Sequence, residues 1–167
     1  MATSAEVFTK VAALGLELPP RPTANGGYDL VRVCRGLAHV SGQLPRTGAN
    51  LHELITGKLA GEDDVARGQQ AARLCLLRAV QALHGHLGDL AAIDSVLSIR
   101  GFLNTEPGFE HHARVMDAAS SLARELFGEA GGHIRSALGV ASLPSGGLVE
   151  LELVVGLSEE TTRGAKQ

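Results

Sequence analysis

Arg135-Ser136-Ala137-Leu138-Gly139-Val140, a turn through Leu143-Pro144-Ser145-Gly146-Gly147, and Leu148-Val149-Glu150-Leu151-Glu152-Leu153-Val154-Val155 form the stretch whose reading decides the fold. In the last run Val149, Leu151, Leu153 and Val155 point one way and Glu150 and Glu152 the other, the pattern of a strand with one buried face. The first run is also strand-like and sets Arg135, Ala137 and Gly139 on one face. Pro fixes φ and Gly accepts φ > 0, so Pro144-Ser145-Gly146-Gly147 is a turn signal. The two runs are expected to pair as a C-terminal hairpin, Gly139 opposite about Glu152 and Ala141 opposite about Glu150. A guanidinium and two carboxylates therefore sit inside core-like strands. Either both Glu residues line the solvated face of an amphipathic sheet, or they and Arg135 build a polar pocket with Arg135 as a bidentate carboxylate anchor.

Working outward, the 167 residues suit one domain with a self-sufficient core. The net charge of −3 lacks the basic block of a nucleic-acid footprint, and one Tyr, four Phe and no Trp make a poor stacking platform. Cys34 and Cys75 lack CxxC spacing and read as reduced, mostly buried thiols. No apolar run approaches the ~20 residues of a membrane span, and the N-terminus lacks the pattern of a secretory leader. The expected location is cytoplasmic.

Ser4 to Leu16 predicts a short helix with Ser4 as N-cap, ended by Leu18-Pro19-Pro20-Arg21-Pro22. Asn25-Gly26-Gly27 marks a turn. Tyr28–Arg35 and Leu37–Ser41 predict two strands hinged at Gly36, closed by Ser41-Gly42-Gln43-Leu44-Pro45. Residues 46–58 read as a loop with a short extended piece. A helix is expected over 62–87, acidic in its first turn and stopped by Gly88-Asp89. A strand over 93–103, a turn over 104–108 and a helix from Phe109 to Phe127 precede the opening stretch, and 158–167 is a polar, frayed tail. The order strand, strand, helix, strand, helix, strand, strand predicts an α+β layer with both long helices on one sheet face. Its other face needs a cover, for which a second subunit is expected.

Several chemical readings fail. In His84-Gly85-His86 the two imidazoles, two apart on a helix, do not face each other, and neither do the adjacent His111-His112. No carboxylate or thiol spacing completes a metal site. Gly57-Lys58 lacks the spacing and the Ser/Thr of a phosphate loop. No histidine is placed by sequence to activate Ser41, and Tyr28 reads first as a packed strand residue.

Taken together, Gly27-Tyr28, Val40-Ser41-Gly42-Gln43-Leu44-Pro45, Arg135-Ser136-Ala137-Leu138-Gly139-Val140, Leu143-Pro144 and Val149-Glu150-Leu151-Glu152 resemble the motifs of the RidA/YjgF (L-PSP) family, in order and over residues 17 to 157. The resemblance implies a chorismate-mutase-like α+β fold, a homotrimer with clefts between subunits, and an enamine/imine deaminase. Such an enzyme hydrolyses 2-aminoacrylate-type intermediates to 2-keto acids and ammonia without cofactor or metal. By the same resemblance Arg135 binds the substrate carboxylate and Glu150 handles the attacking water. Tyr28 forms a pocket wall, Ser41 and Gly42 lie beside the ligand, and Ala137 stands where deaminases often carry Cys. The hairpin register puts Arg135 about 20 Å from Ala141 at strand rise, so Arg135 and Glu150 are expected to meet only across a subunit boundary. Pro107, where active members usually have Asn, and the N-terminal helix mark a divergent branch. A non-catalytic trimer binding small carboxylates, or a partner enzyme, is the alternative. An endoribonuclease is the third reading, against which the acidic balance weighs.

Overall fold

Arg35 and Gly36, at φ 51° and 77°, turn the chain between β1 (Val31–Cys34) and β2 (Leu37–Gln43). Positive φ at both central residues matches the right-handed twist of the strands they join. The computed structural model describes residues 2–24, 26–48 and 52–159. Asn25 of the expected turn, residues 49–51 of the expected loop and residues 160–167 of the expected tail lie outside them. The loop after β2 carries two short paired strands, β3 (Arg46–Thr47) and β4 (Glu53–Leu54). A 3-10 turn over Glu62–Asp64 then leads into α2 (Val65–Leu87), followed by β5 (Ile93–Asn104), α3 (His112–Phe127), β6 (Ile134–Val140) and β7 (Val149–Leu157).

The main sheet has the order β1-β2-β7-β5-β6. This overturns the expected hairpin between 135–140 and 149–155. β6 pairs with β5 in parallel, Arg135 opposite Ile99 and Gly139 opposite Leu103, and β7 pairs with both β2 and β5. The reason lies in the connection. Leu148 is fully buried, donates its N–H to the Ile55 carbonyl and accepts from the Asn104 N–H. The chain is thereby carried past the end of β5 instead of doubling back, and α3 supplies the crossover that a parallel pair requires. The turn at Ser41–Gly42 is corrected too: β2 continues through it to Gln43 as a bulged strand.

Both long helices pack on one face, as expected. Cys75, Leu76, Ala79, Val80 and Leu83 of α2, and Val115, Met116, Ala119, Leu122 and Ala123 of α3, meet Leu151, Leu153 and Val155 of β7 in one core. Gly101 leaves room for Met116, whose thioether fills the space a side chain there would need. α1 (Ser4–Ala13) docks through Val7 and Val11, with Phe8 edge-on to His84 at 4.9 Å and Lys10 Nζ capping the Leu126 carbonyl at 2.9 Å. Its N-cap is Thr3, in a capping box with Glu6, one residue earlier than expected. Ser4 instead donates to Asp89 through its amide and its hydroxyl.

The opposite sheet face is open. Ile134 is 75% and Leu138 52% exposed. Cys34 is exposed rather than buried, because its register beside the tight turn aligns it with Leu37 on this open face. Cys75 is buried, its thiol donating to the Val149 carbonyl at 3.5 Å. Among the described residues no helix is long and apolar enough to cross a membrane.

Candidate functional site

Two residues of β2, Ser41 and Gly42, stand opposite Glu152 alone, because Val40 pairs with Leu153 and Gln43 with Leu151. Such a bulge kinks the strand and re-aims what lies beside it. Gln43 holds it, its Nε2 donating to the Ser41 carbonyl at 3.1 Å. The kink brings the Gly42 backbone over the Glu150 carboxylate, so closely that a Cβ at residue 42 would collide with Glu150 Oε1. Burial, and then the charge of Glu152, push the Glu150 carboxyl above the usual carboxylate range. The two glutamates thus part company: Glu152 approaches Arg100 at 3.8 Å across the half-exposed face, while Glu150 is tucked against glycine backbone.

Arg135 lies on β6 and faces the helix layer, in register with buried Ile99. Its Nη1 donates to Asp117 Oδ1 at 2.9 Å and to Ser120 Oγ at 3.1 Å, both on α3. Ser120 Oγ in turn meets His133 Nε2 at 2.9 Å, and His133 Nδ1 meets the Gly131 carbonyl at 2.7 Å. A carbonyl only accepts, so Nδ1 carries the proton. In neutral His133, Nε2 then accepts from the Ser120 hydroxyl, leaving the Ser120 oxygen to accept from Arg135. Both bonds of Arg135 leave from Nη1, so the Nη2–Nε edge of the fork has no hydrogen-bond partner among the described residues. Asp117, Ser120 and His133 escaped the sequence reading. The signal was there: His133 and Arg135 are two apart entering a strand, and Asp117 and Ser120 three apart on a helix.

Ala137 and Gly139 share the Arg135 face, as their alternation requires. Beyond them an open groove of about 460 Å³ is lined by Gly139, His112, Thr105 and Pro107. Pro107 is therefore at the far end of β6 from Arg135. Tyr28 is in a turn ahead of β1, not in the strand, and lines a cleft of about 730 Å³ between β1 and the second half of α2. Within one chain Arg135 and Glu150 do not meet. Glu150 is opposite Phe102, three residues along β5 from Ile99, two strands away from Arg135 and on the other face of the sheet. The separation expected from the hairpin holds, but for this different reason. Among the described residues no group of three or more His, Cys, Asp or Glu is placed to hold a metal.

Residues 8–157 match the family model described as "YjgF/chorismate mutase-like, putative endoribonuclease". Protein TCP17 of Trypanosoma cruzi is 38% identical over 157 residues, covering 93% of this chain and 96% of that protein. The crystal structure of Atu1372, a protein of unknown function from Agrobacterium tumefaciens, superposes with a TM-score of 0.82 at 33% identity, covering 93% of this chain and 94% of that one. Escherichia coli TdcF, solved with bound serine, shares the fold at a TM-score of 0.58 and 21% identity, over 83% of this chain and 94% of that one. With the family model spanning nearly the whole chain, this protein belongs to the YjgF/chorismate-mutase-like family.

Proposed function

We propose that this protein is an enamine/imine deaminase, hydrolysing 2-aminoacrylate-type intermediates to 2-keto acids and ammonia at clefts between the subunits of a homotrimer. The observation that carries the reading is Glu150, a half-buried carboxyl with a raised pKa held against the Gly42 backbone at the bulge of β2. The bound serine of TdcF supports an amino-acid-sized ligand. Because Arg135 and Glu150 occupy opposite sheet faces, one subunit supplies Arg135 and Ala137 and its neighbour supplies Glu150, Ser41, Gly42 and Tyr28. The exposed Ile134 and Leu138, beside Arg135 on β6, suit burial in that interface.

The free Nη2–Nε edge of Arg135 grips the ligand carboxylate as a fork. Water attacks the C=N carbon, already electrophilic in the protonated imine. Glu150 takes a proton from that water and passes it to nitrogen. It then takes the remaining hydroxyl proton as the C–N bond breaks and the C=O bond forms, and hands it to the departing ammonia. The iminium ion and water thus become keto acid and ammonium, with Glu150 ionised again and no cofactor consumed. A carboxyl raised toward working pH suits both halves of that shuttle.

Arg135→Ala is expected to lower kcat/KM by about a hundredfold, the worth of a charge-assisted pair of roughly 3 kcal/mol. The assay couples a pyridoxal enzyme that releases 2-iminobutyrate to timed keto-acid formation. A wild-type protein that does not accelerate the reaction, yet binds 2-oxobutyrate through Arg135, would leave the non-catalytic trimer as the better reading. Salt-sensitive RNA binding and cleavage would revive the endoribonuclease.

A further inference from the structure

Two contacts hold Nη1 of Arg135, and they differ in how firmly they can hold it. Asp117 takes it at 2.9 Å, but 60% of the Asp117 side chain faces solvent. An ion pair so exposed competes with water and fixes a long side chain poorly. The second contact, Ser120 Oγ at 3.1 Å, is part-buried and is the first link of a chain. Ser120 donates to His133 Nε2, and His133 Nδ1 donates to the Gly131 carbonyl. Gly131 is itself pressed against α3, where a Cβ would strike the Ala123 carbonyl, so the chain ends on backbone that cannot turn away. Each link carries one proton. The Ser120 hydroxyl is spent on His133, and its oxygen is left to accept from Arg135. A serine inside a helix ordinarily turns its hydroxyl to the carbonyl four residues earlier. Ser120, in the middle of α3, bonds His133 and Arg135 instead.

We infer that Ser120 and His133 are positioning residues, which fix Arg135 before a ligand arrives and leave its Nη2–Nε edge open to a carboxylate. His133 acts only through Ser120, and Ser120 only through Arg135. The inference rests on the reading of Arg135 as the carboxylate anchor. An arginine free to sample its rotamers must be ordered at the moment of binding, whereas one already tied at Nη1 loses little further freedom. The substrate carboxylate needs the same grip before and during the reaction. Loosening the anchor therefore weakens binding without slowing the bound substrate.

The test combines calorimetric titration of the full chain with 2-oxobutyrate and the coupled 2-iminobutyrate assay. Ser120→Ala is expected to raise Kd and KM about five- to tenfold and to leave kcat within about twofold. Ser120→Thr, which keeps the hydroxyl, should bind like wild type. His133→Ala should raise Kd less than Ser120→Ala, and the double variant should be no worse than Ser120→Ala alone. In an Arg135→Ala background neither change should lower kcat/KM further. Asp117→Ala should not weaken binding, because its carboxylate opposes an incoming anion. Alanine is the better helix former, so Ser120→Ala is expected to fold. Should it not, His133→Ala decides, and an unchanged Kd overturns the inference. Additive losses in the double variant overturn it too, as do losses that persist without Arg135 and a wild type that binds no 2-oxobutyrate. If the binding pattern holds but no protein turns over 2-iminobutyrate, the deaminase reading fails and the positioning stands. If Arg135→Ala stops turnover while Ser120→Ala and His133→Ala leave Kd and KM unchanged, the positioning fails and the deaminase stands.

Discussion

Glu150→Gln is expected to slow imine hydrolysis by about 10²–10⁴-fold, the usual worth of a positioned proton shuttle, while making the protein more stable at neutral pH. The two effects share one cause. Burial and Glu152 hold the Glu150 carboxyl above its ordinary value of 4.5, so its ionised form is the costly one in the folded state. A group with a raised folded pKa contributes its stability fully below the unfolded value and loses it as pH rises through the folded one. The amide has no such loss. The melting temperatures of wild type and variant should therefore coincide in acid below about 4.5, draw apart as pH rises through the raised value, and stay apart above it. In parallel the acid limb of the wild-type kcat/KM profile should lie above the ordinary carboxylate range and vanish in the variant. Melts across pH 4 to 8 that remain superimposed would remove Glu150 from its buried, charge-stressed setting.

The largest loss of stability is expected from Gly131→Ala. A Cβ there collides with the Ala123 carbonyl and comes within 2.8 Å of Arg124 Cα, all of it backbone of α3. Helix backbone does not yield, unlike the flexible Met116 side chain that crowds Gly101. Forced overpacking of this kind costs about 2–4 kcal/mol, or about 10 °C in melting temperature for a domain of this size. Gly61→Ala, with open space around the added methyl and an extended backbone at φ −163°, is the control and should stay within about 0.5 kcal/mol. A second readout follows from the site: the Gly131 carbonyl orients His133, which holds Ser120 against Arg135. The folded fraction of the variant should bind 2-oxobutyrate more weakly, which a purely global destabilisation would not produce.

The amphipathic strand at 149–155 and the two long helices were legible because period-2 and period-3.6 patterns are written in consecutive residues. Its partners were not. Turn chemistry at Pro144–Gly147 is a local signal, whereas the parallel pairing of β6 with β5 is settled by where α3 and the buried Leu148 carry the chain. Among the site residues, Arg135 stood out as a charge within an apolar run. Its companions Asp117, Ser120 and His133 come from two separated elements, and nothing local announces their meeting. Whether the glutamates of β7 face water or a pocket was open in sequence, since alternation gives both the same face. The bulge at Ser41–Gly42 divides them, and bulges leave no periodic trace. Arg78 was invisible for a related reason: an arginine on a helix reads as solvated, and only its burial on the inward side of α2 reveals that it is not.

The placement of β7 also governs how the molecule is assembled during synthesis on the ribosome. This strand holds the middle of the sheet, yet it is translated after every strand it joins. Until it emerges, the β1–β2 hairpin and the β5–β6 pair are two nascent fragments with no strand in common, each presenting an unpaired edge toward the gap. Their union waits on a single late insertion that closes both edges at once and completes the apolar layer beneath α2 and α3. Contacts so distant in sequence slow folding, and the interval before that insertion is when the polypeptide is most exposed to aggregation with other nascent chains and most dependent on chaperones.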